Sequence, residues 1–521
     1  MQRTTQEPKT NTELPKRFAA EIKAKVPHLR EEPSGNLIVN ATPLIDITNL
    51  LTECARAEYG LEISSKNAQV FGKFDSEIFG GSVKVRPAVK IIEEAIVSSK
   101  LKDGQTIFEA TSGNFGIALG MLGNLGLDVI AVVSRKLQSG VLDQLEKAGV
   151  KLVNLDIDIC PAPGLQMDTN LLVAKSVAAN LRQQLAGLGL DKSTFDESRT
   201  EIENLLAGQD VINLAKFLAK IYGGFCPEQY DNELNVKVHE TLTGPEIDQQ
   251  LKALGHSLAE FRVICTFGTG GTSTGLSNYV KKTYDRRAVH VVFSLANQDV
   301  GGIRTHDKAL GLKFYRPELY AGQHEADFEA AKRLLRFFAR KGYNIGESSA
   351  LALYACLQML NFGVGDKFVV IIADGNAKYL KSLEAIGEEK RRYEVTLEEA
   401  RSGLSDYGEV LWTHAMFAPK DEGIQLISTS LGCDENKVKV ARARDVDTII
   451  SNQELPETMR RLFPEDKRKV LLVCMVGGTS LAVAKLLAKH GIEAESLNGG
   501  IMGLPKTGAR HPSEIVQLAS E

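Results

Sequence analysis

The strongest constraint in this chain is an alternation. From about Asn40 to Glu389, short β-rich runs (TIFEA, DVIAVVS, KLVNLDI, FRVICTFG, VHVVFSL and KFVVIIADG) are each followed by a stretch with helical periodicity. Strands that run the same way need a crossover between them, usually a helix, so the pattern predicts parallel sheets covered by helices, an α/β fold. One segment breaks the rhythm. From about Pro161 to Gly224 the chain carries LLVAKSVAANLRQQLAGL and more helical pattern with few strand signals, which predicts a helical insertion near 161–224. The charged run EEKRRYE after Gly387 reads as a linker, and KVLLVCM with SLAVAKLLAKHG predicts a further α/β unit beyond it. With 521 residues to distribute, the expected layout is an N-terminal extension over 1–40, polar and partly disordered, a large unit over 41–390 and a second unit over 391–521.

Composition removes several classes. Lys+Arg 62 against Asp+Glu 66 lacks the basic surplus of a nucleic-acid binder. No uncharged apolar stretch reaches the ~18 residues of a membrane span. The opening MQRTTQEPKTNTELPKR has no apolar core of a secretion signal, so a cytoplasmic protein is expected. The seven cysteines are scattered, without CxxC pairs, which fits a reducing compartment and predicts no metal site.

Three glycine-bearing loops in the large unit share one logic. In GGSVKVRPAVKII, Gly80 to Ile92, small residues precede Lys84 and a helical pattern follows, placing a lysine at a helix start, where the macrodipole disfavours positive charge. In EATSGNFGIAL, Glu109 to Leu119, a strand ends at Ala110 and Thr111, Ser112, Gly113 and Asn114 open a helix. Free N–H groups, hydroxyls and an amide there make a cup suited to a carboxylate. In TFGTGGTSTG, Thr266 to Gly275, the glycines Gly268, Gly270 and Gly271 let the backbone fold around a phosphate, and Thr269 and Thr272 add hydroxyl donors. The GK[ST] ending of a nucleoside-triphosphate loop is missing. Taken singly, each has an ordinary explanation: a surface lysine, an N-cap with its turn, a generic anion nest.

In this order, the loops combine with NATPLI, HETLTGPEI (His239 to Ile247), GESSALAL (Gly346 to Leu353) and VVIIADGNAKYL (Val369 to Leu380). Together they resemble the fold-type II pyridoxal-phosphate (PLP) enzymes, most closely the cysteine synthase and cystathionine β-synthase group, over roughly residues 40 to 385. The resemblance implies two α/β subdomains with twisted, mostly parallel sheets, and pyridoxal 5'-phosphate as cofactor. It also implies roles. Lys84 matches the lysine that forms the Schiff base with the cofactor aldehyde and later takes the substrate's Cα proton. Asn114 matches the asparagine bonded to the cofactor's ring hydroxyl, and Thr111, Ser112 and Gly113 join it in the loop that grips the substrate carboxylate. Gly268, Thr269, Gly270, Gly271 and Thr272 match the phosphate cradle. Three positions depart from the family pattern: Val85 replaces a common Asp, Phe115 replaces a common Thr, and Gly375 aligns with the Ser or Thr that faces the pyridine nitrogen. The adjacent Asp374 is the alternative nitrogen partner.

A second resemblance lies in KVLLVCMVGGTSLAVAKLLAKHGIEAESLNGGIMGLP, Lys469 to Pro505. A thiol at a strand end, cupped by N–H groups at a helix start, should be acidified and nucleophilic; the plain alternative is a buried cysteine. The segment is similar to the active-site half of rhodanese domains, C-x-x-G-x-[RT]-S, in which the cysteine carries a persulfide. Cys474, Gly477, Thr479 and Ser480 match, as do Asn498, Gly499 and Gly500. Upstream, ARARDVDTI (Ala441 to Ile449) is only a partial version of the family's aspartate-arginine motif, so a degenerate domain used for docking or regulation is the other reading.

These resemblances imply β-replacement on a serine-derived amino acid (O-acetylserine, O-phosphoserine or serine) with sulfide or a persulfide, the tethered carrier raising the effective sulfur concentration. Elimination, by a dehydratase or desulfhydrase, is the second reading; a non-catalytic sulfur-carrier or regulatory protein is the third. Expected partners are an amino-acid substrate, a sulfur donor and a second copy of the chain, with no nucleic acid and no membrane. Arg304, in GGIRTH, suits a substrate phosphate or carboxylate, or an exposed salt bridge. His239 reads as structural rather than catalytic. Lys73 either holds the small subdomain near the cofactor or is solvated. Cys160 and Cys226 bracket the insertion and either pair under oxidation or remain buried thiols.

Overall fold

The computed structural model describes residues 13–29, 37, 40–63, 65–134, 137–155, 171–296, 298–379, 393–413, 420–441, 445–446, 448–449, 454–463, 468–474, 478–498 and 500–504. The large unit contains strands β1 (Leu44–Asp46), β2 (Gln69–Phe74), β3 (Ile107–Ala110), β4 (Val129–Ser134) and β5 (Lys151–Leu155). After the helical insertion follow β6 (Arg262–Thr266), β7 (Val289–Ser294), β8 (Gly322–Ala326) and β9 (Lys367–Ile372). They build two sheets. The larger runs β1-β2-β9-β6-β7-β8, parallel except for β1 against β2, and the smaller is the parallel β3-β4-β5. Every residue of β7 and all but the first of β9 are buried, the near-continuous apolar pattern of strands covered on both faces.

The chain leaves the large sheet after β2, builds the small one, and crosses the helices Leu171–Gly187, Lys192–Glu197, Arg199–Ala207 and Val211–Ile221 before returning through β6. Asp191 and Asp210 cap two of these helices, accepting N–H bonds from Thr194 and Asn213. Residues 156–170, including Cys160, lie outside the described residues, so its pairing with Cys226 does too. The six described cysteines are free thiols.

Part of the N-terminal extension, expected to be polar and partly disordered, is folded. From Glu13 to Lys25 it is a helix whose Leu14, Phe18 and Ile22, spaced four apart, bury one stripe against the helix Val85–Val97. An apolar residue every fourth position was enough to fold it, despite a mostly polar composition.

Beyond residue 393, strands β10 (Glu394–Val395), β11 (Tyr407–Trp412), β12 (Val438–Val440), β13 (Lys469–Val473) and β14 (Ala494–Leu497) form a separate parallel sheet, ordered β10-β14-β13-β11-β12. This sheet has its own core but also shares one with the large unit. Trp412, Leu471, Val473 and Leu497 belong to the same apolar cluster as the helices Phe328–Arg340 and Glu347–Asn361. Arg333 crosses the seam, pairing with Glu394 and donating to Asn498 Oδ1. Among the described residues, no helix is long and apolar enough to cross a membrane, and no group of three His, Cys, Asp or Glu is placed to hold a metal ion.

One polar cluster sits deep in the large unit. Arg86, two residues past Lys84, is fully buried and donates to Asp75 (Nη2 to Oδ1 2.7 Å, Nε to Oδ2 3.1 Å) and to Glu246 (Nη1 to Oε2 2.9 Å). Lys73, from β2, pairs with the same Glu246 and donates to the Thr42 carbonyl at 2.7 Å. Lys73 is thus not solvated; with 0% exposure it is half of a balanced two-cation, two-anion network. Arg86 and Lys73 hold both carboxylates ionised, below their usual pKa, against the opposing effect of burial. Removing one partner strands the others without water. Arg86→Leu is therefore expected to destabilise the large unit by about 3–5 kcal/mol in urea unfolding; an unchanged midpoint would contradict the assignment.

Candidate active site

Lys84 directly precedes the helix Val85–Val97. The turn before it is zipped to the end of β9: Val83 N donates to the Ala373 carbonyl at 2.7 Å and Gly375 N to the Gly81 carbonyl at 3.3 Å. That places the Lys84 amine 3.4 Å from Thr269 Oγ1, in the glycine-rich loop that follows β6. Burial of the amine, and next the positive charge of Arg304, pull its pKa down to about 8.

The loop itself is shaped for an anion. Among the described residues, the backbone N–H groups of Gly268, Thr269, Gly270 and Thr272 have no acceptor. They precede or begin the fourteen-residue helix Gly271–Tyr284, whose dipole favours negative charge at this end. Gly270 takes φ +88°, and a Cβ there would lie 2.6 Å from the Phe314 carbonyl oxygen, so only glycine fits. Thr269 Oγ1 accepts from Asn235 Nδ2 at 3.0 Å and Gly271 N at 3.3 Å and lies 3.4 Å from the Lys84 amine. Behind the loop, His239 bridges Thr243 Oγ1 (3.0 Å) and Thr272 Oγ1 (3.2 Å). Burial and the nearby charges of Arg86 and Lys84 hold this ring neutral. His239 is a buttress for the loop, which is the structural role expected.

Across the same cavity lies the turn after β3. Thr111 Oγ1 accepts from Gly113 N (3.1 Å) and Gly116 N (3.2 Å), folding the chain so that the N–H groups of Ser112, Asn114 and Phe115 are left without acceptors among the described residues. Lys84, Ser112, Asn114, Phe115, Gly268, Thr269, Gly270 and Thr272 line one cavity with Gln229, Tyr230 and Ser348. Phe115, where the family pattern has Thr, forms part of its wall. Asn114 Nδ2 donates to Asp374 Oδ2 at 3.0 Å, and its Oδ1 accepts from Lys378.

Asp374 and Gly375 do not reach that cavity wall. The Asp374 carboxylate is 1% exposed and already receives Asn114, Lys378 (2.9 Å), Tyr379 (2.9 Å) and Ser348 (3.2 Å). Gly375 packs against Asn344. The residue that comes forward in their place is Ser348, the first serine of GESSALAL, at the N-terminal turn of the helix Glu347–Asn361. The serine pair in that motif was the available signal. Lys378, a second buried lysine in the site, carried none beyond its place in the NAKYL run.

The profile of the pyridoxal-phosphate dependent enzymes matches residues 37–374. This chain belongs to that family. Cysteine synthase from Staphylococcus aureus (strain N315) is 26% identical over 365 residues, covering 68% of this chain and 98% of its own length. The probable cysteine synthase of Bacillus subtilis (strain 168) is 28% identical over 356 residues, 66% of this chain and 95% of its own. Among solved structures, O-ureido-L-serine synthase aligns at 22% identity with a TM-score of 0.47, covering 65% of this chain and 90% of that one. The protein is an α/β fold-type II PLP enzyme, and PLP is its cofactor. The residues present fit the group: a four-donor nest with no protein acceptor suits its phosphate, and a lysine with lowered pKa suits its aldehyde.

In the C-terminal sheet, Cys474 follows β13 and is 1% exposed, with Ser480 Oγ donating to Sγ at 3.2 Å. The thiol is buried, as in the plainer of the two readings of this cysteine. Thr479 donates to Asp327 Oδ2 at 3.4 Å and Asn498 accepts from Arg333, so its neighbours face the large unit. Gly477 and Gly499 lie outside the described residues, and Gly500 begins a short 3-10 turn.

A depressed lysine pKa has a sign that can be checked. The neutral, nucleophilic amine of Lys84 should appear as pH rises through about 8, well below the ~10.4 of an ordinary lysine. Competitive acetylation of the cofactor-free protein, read by peptide mass, is expected to give Lys84 a midpoint near 8; a midpoint with the surface lysines would contradict the burial described.

Proposed function

We propose that this enzyme catalyses β-replacement on a serine-derived amino acid, joining a sulfur nucleophile to Cβ. The observation that carries the reading is the single cavity holding a deprotonatable lysine, a phosphate-sized nest and a second nest of N–H donors. The relatives named cysteine synthase support the same reaction. Bound PLP supplies an electron sink for the pair left at the substrate Cα. The chain does the rest. The N–H groups of Gly268, Thr269, Gly270 and Thr272, with the Thr269 and Thr272 hydroxyls, would hold the phosphate. Ser112, Asn114 and Phe115 N–H groups, with the Thr111, Ser112 and Gly113 turn, orient the substrate carboxylate. Asn114, with its second N–H, would hold the ring hydroxyl, and Ser348, which lines the cavity and can turn its hydroxyl from Asp374, would serve the ring nitrogen in place of Asp374. Lys84 takes the Cα proton as the Cβ substituent leaves and returns it when sulfur has added, which its lowered pKa suits.

The domain reading follows from the same elements: an extension over 1–40, a catalytic domain over 41–390 and a rhodanese-like domain over 391–521. The strand that ends before Cys474 and the helix that begins at Gly478, with the Ser480 hydroxyl on the sulfur, support a sulfur-carrying unit whose Thr479 and Asn498 meet the catalytic domain. Because the thiol is enclosed there, loading from a donor requires the seam at Asp327 and Arg333 to open. A homodimer is the assembly this reading takes.

The test is product mass after incubating the PLP-loaded protein with each serine derivative and sulfide, for wild type, Lys84→Ala and Cys474→Ser. Cysteine is the expected product, lost by more than about a thousandfold in Lys84→Ala, while Cys474→Ser loses only reactions fed by thiosulfate-like donors. Pyruvate and ammonia in place of cysteine would replace this reading with elimination.

A further inference from the structure

Arg304 lies beside the site, and no acid among the described residues pairs with it. Its backbone is fixed by Arg304 N donating to the Phe267 carbonyl at 2.8 Å and by the Ser294–Thr305 bridge. The side chain is 6% exposed, Nη2 donates to the Tyr230 hydroxyl at 2.7 Å, and the guanidinium lies 5.6 Å from the Tyr230 ring centroid. Nε is buried without a hydrogen-bond partner, and no carboxylate pairs with Arg304 among the described residues. A buried, unpaired guanidinium is costly, so the missing partner is an anion that arrives.

The place it would arrive is defined. Arg304 and Lys308 line a second cavity together with Thr111 and Ser112. Ser112, Tyr230 and Gly302 line both this cavity and the one that holds Lys84, so the two meet at the carboxylate-gripping turn. Lys308 is exposed and makes no ion pair among the described residues; the one acid among the lining residues, Asp299, is exposed, whereas Arg304 is buried. The balance is cationic, with the charge concentrated where water is excluded.

We propose that this second cavity is an oxyanion subsite that selects substrates whose Cβ substituent is a phosphate ester, of the O-phosphoserine class. The inference rests on the β-replacement reading and deepens it. In the reaction the Cβ–O ester bond breaks with its electron pair going to the departing phosphate, held by Arg304 and Lys308. The Cα proton passes to Lys84, sulfide forms the Cβ–S bond, and the proton returns to Cα. No oxidant or reductant is needed. An arginine fork suits such a group because it offers two parallel donors to a tetrahedral oxyanion.

The experiment compares kcat/KM for O-phosphoserine and O-acetylserine, each with sulfide, in the PLP-loaded wild type, Arg304→Gln, Arg304→Lys and Lys308→Gln. The ratio of the two values cancels any change in Lys84 common to both substrates. Calorimetric binding of O-phosphoserine and of inorganic phosphate provides a readout independent of turnover. Expected are a ratio favouring O-phosphoserine in the wild type and a fall of at least about tenfold in Arg304→Gln. Part of that loss should be restored in Arg304→Lys, with a smaller fall in Lys308→Gln. Phosphate binding should weaken in parallel. Equal losses on both substrates would assign Arg304 to the α-carboxylate or to the scaffold and overturn the proposal, as would an unchanged ratio. If no substrate yields cysteine in the wild type, the β-replacement reading itself fails, while tight phosphate binding abolished in Arg304→Gln would still locate the subsite.

Discussion

The Arg86 guanidinium, shared between two buried carboxylates, is the interaction on which the site's geometry depends. It ties the first turn of the helix Val85–Val97 to Asp75, just after β2, and to Glu246 in the helix Gly244–Ala253. Lys84 stands at the head of that helix, so fixing Arg86 fixes the direction from which the lysine enters the cavity. Buried ion pairs of this kind contribute little net stability once desolvation is counted. What the network supplies is position: it admits one arrangement of three elements and penalises all others with stranded charge.

Around that fixed lysine the chain arranges two unsatisfied nests, one at each end of the cavity. Both arise from the same device, a strand that ends in a turn and feeds a helix, leaving N–H groups that no oxygen among the described residues reaches. In the folded chain these donors are a cost; with a phosphate and a carboxylate in place, as proposed, they would become the binding energy. Arg304 follows the same rule with a full charge, and its positive field helps keep the lysine deprotonatable. The site thus stores its specificity as polar groups that only the right ligand completes.

What could be read from the sequence was what is local. Gly268 to Thr272 and Thr111 to Asn114 announce their geometry in consecutive residues, and the β-rich runs announce parallel strands. Features set by distant contacts were not legible. Lys73 looks like any lysine until Glu246, far along the chain, is folded onto it. Asp374 looked available for the ring nitrogen because nothing nearby in sequence shows that Lys378, Tyr379, Ser348 and Asn114 converge on its oxygens. The helix at Glu13–Lys25 hid because three apolar residues in a polar stretch mean little without the groove that receives them. Likewise, a linker-like charged run gave no sign that the C-terminal sheet shares a core with the catalytic helices.

The central claim is that Lys84, among all lysines here, carries the cofactor. Borohydride reduction of the PLP-loaded protein followed by peptide mapping tests it directly, because reduction makes the link permanent and mass locates it. The account predicts a pyridoxyl group on the peptide containing Lys84. A pyridoxyl group on Lys378, the buried lysine bonded to Asn114 and Asp374, or on a surface lysine instead, would contradict it.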